Sequence, residues 1–281
     1  MASTNTILDG VNWYIPLPEE EIHELVGNIA SLVKPLLAVK GTLPSTIARH
    51  INRYYVMIRY SRNSPPQLQG EQGVEAFLYN FYGCIFYNAQ QTSFHDEGQY
   101  LLAQLILELR KLDIMSMRIW EDDVLDHSQK PILASTTYAA WAKARVFEDG
   151  RVQPNHDESD LDSDVDIDPD KSTQKPEDRC DMFVNLSAFI ARCIRYGVLR
   201  LDRWREEDRF HYVLNYPTHA LRDFFLMADP LATMQDCKAM VCAIYIIIAG
   251  ETIRAHVIRE SWIRGMGATR AATGASFFFV R

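Results

Sequence analysis

Cysteine is sparse and carries no pattern. The five, Cys84, Cys180, Cys193, Cys237 and Cys242, are odd in number, and no two form C-x-x-C. That spacing excludes a zinc ribbon and a disulfide framework and points to reduced thiols in the cytoplasm or nucleus. The opening residues, MASTNTILDGVNW, lack a basic patch followed by an apolar run, so no secretory leader is expected. The longest apolar run, Ala239 to Ala249, is too short to span a bilayer, so no membrane is expected. There is no Gly-rich phosphate loop, no G-x-S-x-G and no H-x-x-x-H, so no cofactor is expected.

A basic face is also missing. The formal net charge is −8, and the segment from Asp149 to Asp181 holds twelve acids against four bases, a local −8. The rest of the chain is therefore neutral, which argues against nucleic acid as a partner. That acidic segment, residues 149–179, has too little apolar content to offset its ordering entropy and is expected to be disordered. Ser159 and Ser163 each have Asp three residues on and are candidate phosphorylation sites for an acid-directed kinase.

What is abundant is helical periodicity. From Asp181 to Leu201, apolar residues recur at steps of three and four: Met182, Phe183, Leu186, Phe189, Ile190, Cys193, Ile194 and Gly197. A helix with so narrow a polar strip must be covered on most sides, so it is expected to be central. The expected fold is all-α, one multi-helix domain of about seven to nine helices with the acidic segment as an insertion. An extended lead-in (1–18) precedes an N-terminal helical half (19–148). A C-terminal half (180–264) follows the loop, and an irregular Gly/Ala/Thr tail (265–281) ends the chain.

Within the N-terminal half, helices are expected from Glu19 until Pro35 and Gly41 close the first. The second runs from Pro44 with Thr42 as cap, the third from about Glu71 to Gln91, and the fourth after a Ser93-x-x-Asp96 capping box. Two short helices are expected in residues 113–147. Later, a helix spans Phe210–Met227, interrupted or begun again at Pro217, and a last long one spans about Met234–Trp262. Its expected stripe is Cys237, Met240, Val241, Ile244, Ile247 and Ile248, with Glu251 next in register.

Three constellations could carry chemistry. Asp122-Asp123-x-x-Asp126 on a helix would set carboxylates on one face, suited to Mg²⁺ and a diphosphate. It resembles the aspartate-rich motif of class I terpene synthases, whose second metal motif is absent here. Asp160, Asp162 and Asp164 mimic the start of an EF-hand loop, but Val165 replaces the turn glycine and Lys171 the final Glu. Glu251, in register with the last stripe, either needs a partner, with Arg192 and Arg222 as candidates, or marks where the helix leaves the core at Gly250.

Asn185-Leu186-x-x-Phe189-x-Ala191-Arg192, Leu221-Arg222 and Ala249-Gly250-Glu251 resemble a family of fungal, all-helical intracellular proteins catalogued only as a domain of unknown function. Trp120-Glu121-Asp122 matches a Trp-led segment of the same family, and the likeness covers roughly residues 70–260. The resemblance implies an all-α fold and, for some members, a place among genes of secondary metabolism. It brings no catalytic residues, and its Trp-rich end is replaced here by the Gly/Ala/Thr tail. The leading expectation is a non-catalytic interaction protein with a protein partner. The competing one is a binder or Mg-dependent enzyme for an apolar small molecule, using Asp122, Asp123 and Asp126.

Overall fold

A computed structural model describes residues 19–60, 70–112, 132–145, 176–199, 215–226 and 232–259. The described chain is helical, with no strand among the described residues. Eight helices follow one another: α1 (Glu19–Ala38), α2 (Pro44–Tyr60), α3 (Gly70–Gln91), α4 (Glu97–Arg110), α5 (Ile132–Arg145), α6 (Pro176–Arg195), α7 (Asn215–Leu226) and α8 (Ala232–Ile244). The last runs on through a π turn, Tyr245–Ala249, and continues to Arg259.

The expected apolar stripes of α1, α2, α3 and α6 are largely buried. Leu25, Val26, Ile29 and Val33 of α1, and Ile47, Ile51, Tyr55 and Ile58 of α2, are all buried. In α3 both the stripe (Val74, Phe77, Phe81, Ile85) and the off-stripe aromatics Tyr82 and Phe86 are buried, because α3 packs against α1, α2, α4, α5 and α6. The α6 helix is covered in the same way: Leu186, Ser187, Ala188, Phe189, Ile190 and Ala191 are consecutive and buried, among α3, α4, α5 and α8. Phe86 meets Phe189 edge-on, with centroids 5.8 Å apart, tying the two central helices together. Full burial of side chains this size contributes about 1.5–3 kcal/mol each.

The helix ends differ from the expected ones for identifiable reasons. The α6 helix stops at Arg195, short of Leu201, because Gly197 adopts φ +70. There Val198 N–H bonds Cys193 O at 2.8 Å and Gly197 N–H bonds Ile194 O at 3.1 Å, the glycine-capped helix end of a Schellman motif. It starts at Pro176, inside the stretch expected to be irregular; proline suits the first turn, where its missing N–H has no partner to lose. The α1 helix runs through Pro35 to Ala38 and turns at Gly41, whose φ is +88. A proline three residues from a helix end removes one bond without breaking the helix. The α4 cap is Asp96 itself, whose carboxylate accepts from Gly98 N–H at 2.6 Å; it is not Ser93. Of the two alternatives at Pro217 the helix start is the one seen: α7 begins at Asn215 with Pro217 in its first turn, and residues 210–214 lie outside the described residues. The lead-in, the first short helix expected in 113–147, residues 149–175 of the acidic insertion and the tail lie outside the described residues.

Candidate functional site

The last turn of α3 leaves carbonyls without helical partners, and α4 and α6 supply the missing donors. Gln99, fully buried in the first turn of α4, donates from Nε2 to Ala89 O (2.8 Å) and Thr92 O (2.7 Å). Asn185 of α6 donates from Nδ2 to Gln90 O (3.0 Å) and accepts from Phe94 N–H at Oδ1 (2.9 Å). Two turns on, Arg192 donates to Phe94 O (2.6 Å) and lies 3.4 Å from Gln99 Oε1. Burial lowers the pKa of the Arg192 guanidinium, partly offset by neighbouring Tyr196. In return, Arg110 at the end of α4 donates to Gly197 O and Val198 O, beyond the end of α6. Three side chains from two helices thus clamp the α3–α4 turn, and a fourth fastens the exit of α6.

Beside the clamp an open cleft of about 480 Å³ is lined by Gln90, Ser93, Phe94, Asp181, Met182 and Asn185, among others. It lacks the enclosed, mostly apolar character of a small-molecule pocket. On the other side of α6, the hydroxyls of Ser187, Tyr216 and Tyr245 are sealed from solvent, and none makes a hydrogen bond of ordinary geometry. Burial raises both phenols, Tyr216 further through Tyr138 and Tyr245 further through Tyr216, while nearby Ser187 partly counters the rise at Tyr245. Burial pushes the Cys84 thiol up to about 12 against an opposing hydrogen bond from Asn88. It also raises Cys193, against the pull of Arg110 and Arg192. These groups stay protonated at neutral pH, so the thiols are not nucleophiles there. Among the described residues no three His, Cys, Asp or Glu side chains gather as metal ligands.

The π turn decides where Glu251 goes. A π turn takes one more residue than an α turn, which rotates everything downstream. Val241, Tyr245 and Ala249 face the core, whereas Met240, before the π turn, is already 45% exposed, Ile247 is 77% exposed and Glu251, after it, is exposed as well. No ion pair joins Glu251 to Arg192 or Arg222: Arg192 holds Phe94, and Arg222 bridges its neighbour Asp223 at 3.1 Å. Of the two alternatives for Glu251, the geometry is that of a helix leaving the core. An unbroken 3.6-residue period, the only one readable from sequence, cannot show this. Asp122, Asp123 and Asp126, like Ser159 and Ser163, lie outside the described residues.

From the π turn onward the helix presents an outward apolar face: Ile246 (58% exposed), Ile247, Val257 and Ile258 (56% exposed), with Met240 before the turn. The whole element, Gln235–Arg259, is long and apolar enough by length and composition to cross a membrane, which the short run Ala239–Ala249 did not suggest. Its inner face is held by α6 and α7, through Cys237, Val241, Ile244 and Tyr245.

Fold and clamp together define an all-α protein in which Gln99, Asn185 and Arg192 join helix to helix. The chain belongs to the family described as protein of unknown function (DUF3632), whose model matches residues 82–275. No curated protein and no solved structure matches the chain. Asn185 and Arg192 of the resemblance motif are the clamp, and Leu186, Phe189 and Ala191 are the buried centre of α6. Ala249-Gly250-Glu251 is the exit of the π turn. Gln99, at the clamp's centre, had no sequence signal beyond a glutamine among apolar neighbours.

Proposed function

We propose that this chain is a non-catalytic interaction protein that docks another protein chain on the outward face of its last helix. One observation carries the reading: Ile246, Ile247, Val257 and Ile258 are exposed along one side of a helix that is anchored in the core as far as Ala249. Large apolar side chains clustered on one exposed face mark an interaction surface far more often than scattered ones do. The protonated thiols and phenols fit the same reading, since they hold no charge or nucleophile ready for chemistry. All five cysteines are free, which supports a reducing compartment, cytoplasm or nucleus. A fungal origin and a role beside secondary metabolism are part of the proposal and rest on the sequence motifs alone. The acidic stretch, with Ser159 and Ser163, is its regulated part: phosphate there adds charge to a segment that already repels itself.

The test is light scattering on the protein gently purified from its own source, beside an Ile247→Glu variant made in the same source. The reading requires a particle heavier than one chain that the substitution dissociates while the helical signal is kept. A particle indifferent to Ile247→Glu, or a single chain in both samples, overturns it.

A further inference from the structure

The outward face of the last helix is matched by its own reverse, apolar to apolar and acid to base. Ile247, Glu251, Arg254 and Ile258 follow at steps of four, three and four residues, which keeps them on one side of the helix. All four are exposed. Ile247 and Ile258 lie equally far on either side of the Thr252–Ile253 bond, and so do Glu251 and Arg254. The order is therefore apolar, acid, base, apolar, and rotation by half a turn about that midpoint exchanges acid with base.

Such a stripe is complementary to itself in one orientation only. Laid antiparallel on a second copy, Ile247 meets the other copy's Ile258, and Glu251 meets its Arg254, twice over by symmetry. Laid parallel and in register, Glu251 would face Glu251 and Arg254 would face Arg254, two like-charge contacts. The resulting two-fold axis is also the commonest symmetry of homo-oligomers. Within the chain, among the described residues, neither Glu251 nor Arg254 has an ion-pair partner, so both remain available. The four-three-four spacing is that of a two-stranded helical seam, with the charge pair at its centre fixing register.

We propose that this face pairs with the same face of a second copy, antiparallel, to form a two-fold dimer centred between Thr252 and Ile253. The proposal rests on the reading of the last helix as a docking surface and names its occupant. Because the seam is short, association is weak, with dimer and monomer exchanging in the micromolar range or above. At the centre of the seam the Glu251–Arg254 pairs must give up water to form, so they add little net affinity and much selectivity.

The experiment is sedimentation equilibrium on the full chain, expressed alone, over a concentration series. The unaltered chain should rise from one chain mass, 32.3 kDa, toward twice that value. Glu251→Arg alone presents only bases at the centre and Arg254→Glu alone presents only acids, so each should stay monomeric. Mixed in equal amounts they should form a heterodimer, and the double swap, Glu251→Arg with Arg254→Glu, should dimerise with itself. All three variants alter exposed side chains, so the helical signal should be kept. Single reversals that self-associate like the parent overturn the proposal, as does a parent that is monomeric throughout. If the parent is monomeric alone while its native particle still depends on Ile247, the interaction reading stands and only self-pairing falls. Flotation of the parent with phosphatidylcholine–phosphatidylserine vesicles, lost on Ile247→Glu, would assign the face to a lipid surface and overturn pairing as well.

Discussion

Replacing Gln99 by Leu asks whether the clamp holds the central helices together. Leucine roughly keeps the side-chain volume, so packing changes little, but Ala89 O and Thr92 O lose their donor and Arg192 loses one acceptor. A buried carbonyl left without a partner costs about 1–3 kcal/mol, and Thr92 O is only part-buried, so the sum should be about 2–4 kcal/mol. For a chain of this size each kcal/mol moves the melting point by roughly 2–4 °C, which gives a fall of roughly 5–15 °C. Urea denaturation read by circular dichroism would give the free energy, with an unchanged slope showing that the native fold is intact. Arg192→Met should also destabilise, by about 1.5–3 kcal/mol for its charged bond to Phe94 O. The double variant should lose less than the two single losses added, since the side chains share a contact. Glu251→Gln, by contrast, should leave the dilute single chain within about 0.5 kcal/mol of the parent, as expected for a residue exposed within its own chain. A Gln99→Leu protein as stable as the parent would refute the argument, because it would mean that the α3 carbonyls need no donor.

Three further outcomes follow from the same structure. Gly197→Ala should cost about 1–2 kcal/mol in urea denaturation, because its φ of +70 is a left-handed conformation that a Cβ disfavours, although no atom lies near enough to clash. Alkaline pH should unfold the protein: its thiols and phenols are raised in the fold, so their contribution is complete below their ordinary values of 9.0 and 10.0. It is lost as pH climbs toward 12, so loss of helix and ionisation of the buried phenols at 295 nm should coincide; ionisation without unfolding would contradict it. Finally, Mg²⁺ with a prenyl diphosphate should leave the melting point unchanged; a rise that vanishes in Asp122→Asn would replace docking by diphosphate chemistry.

How much of this was written in the residues depends on the distance over which each signal acts. The stripes of α1 to α4 and of α6 are periodic over three or more turns, so burial could be read from spacing alone. Local punctuation misled where tertiary contacts override it. Pro35 does not stop α1, and Asp96 rather than Ser93 caps α4, after a turn held by Asn185, 91 residues from Phe94 in sequence. The π turn is the sharpest case. Nothing in Tyr-Ile-Ile-Ile-Ala distinguishes it from an α turn, yet it places Tyr245 in the core and sends Ile247 and Glu251 outward. Periodicity read straight through it put Glu251 in line with the core and suggested a buried ion pair. The clamp was half legible: Asn185 and Arg192 stood out as polar positions in a helix that is otherwise apolar. Their partners were not, because backbone carbonyls have no signature in sequence.

The central claim is that this is a docking protein whose occupant is a protein chain. Native mass spectrometry of material purified gently from its own source tests it most directly. The account predicts a particle heavier than one chain by the mass of a protein, with twice 32.3 kDa as the self-paired form. A single chain carrying a few hundred extra daltons that disappear on denaturation would contradict it and mark the protein as the carrier or enzyme of a small molecule.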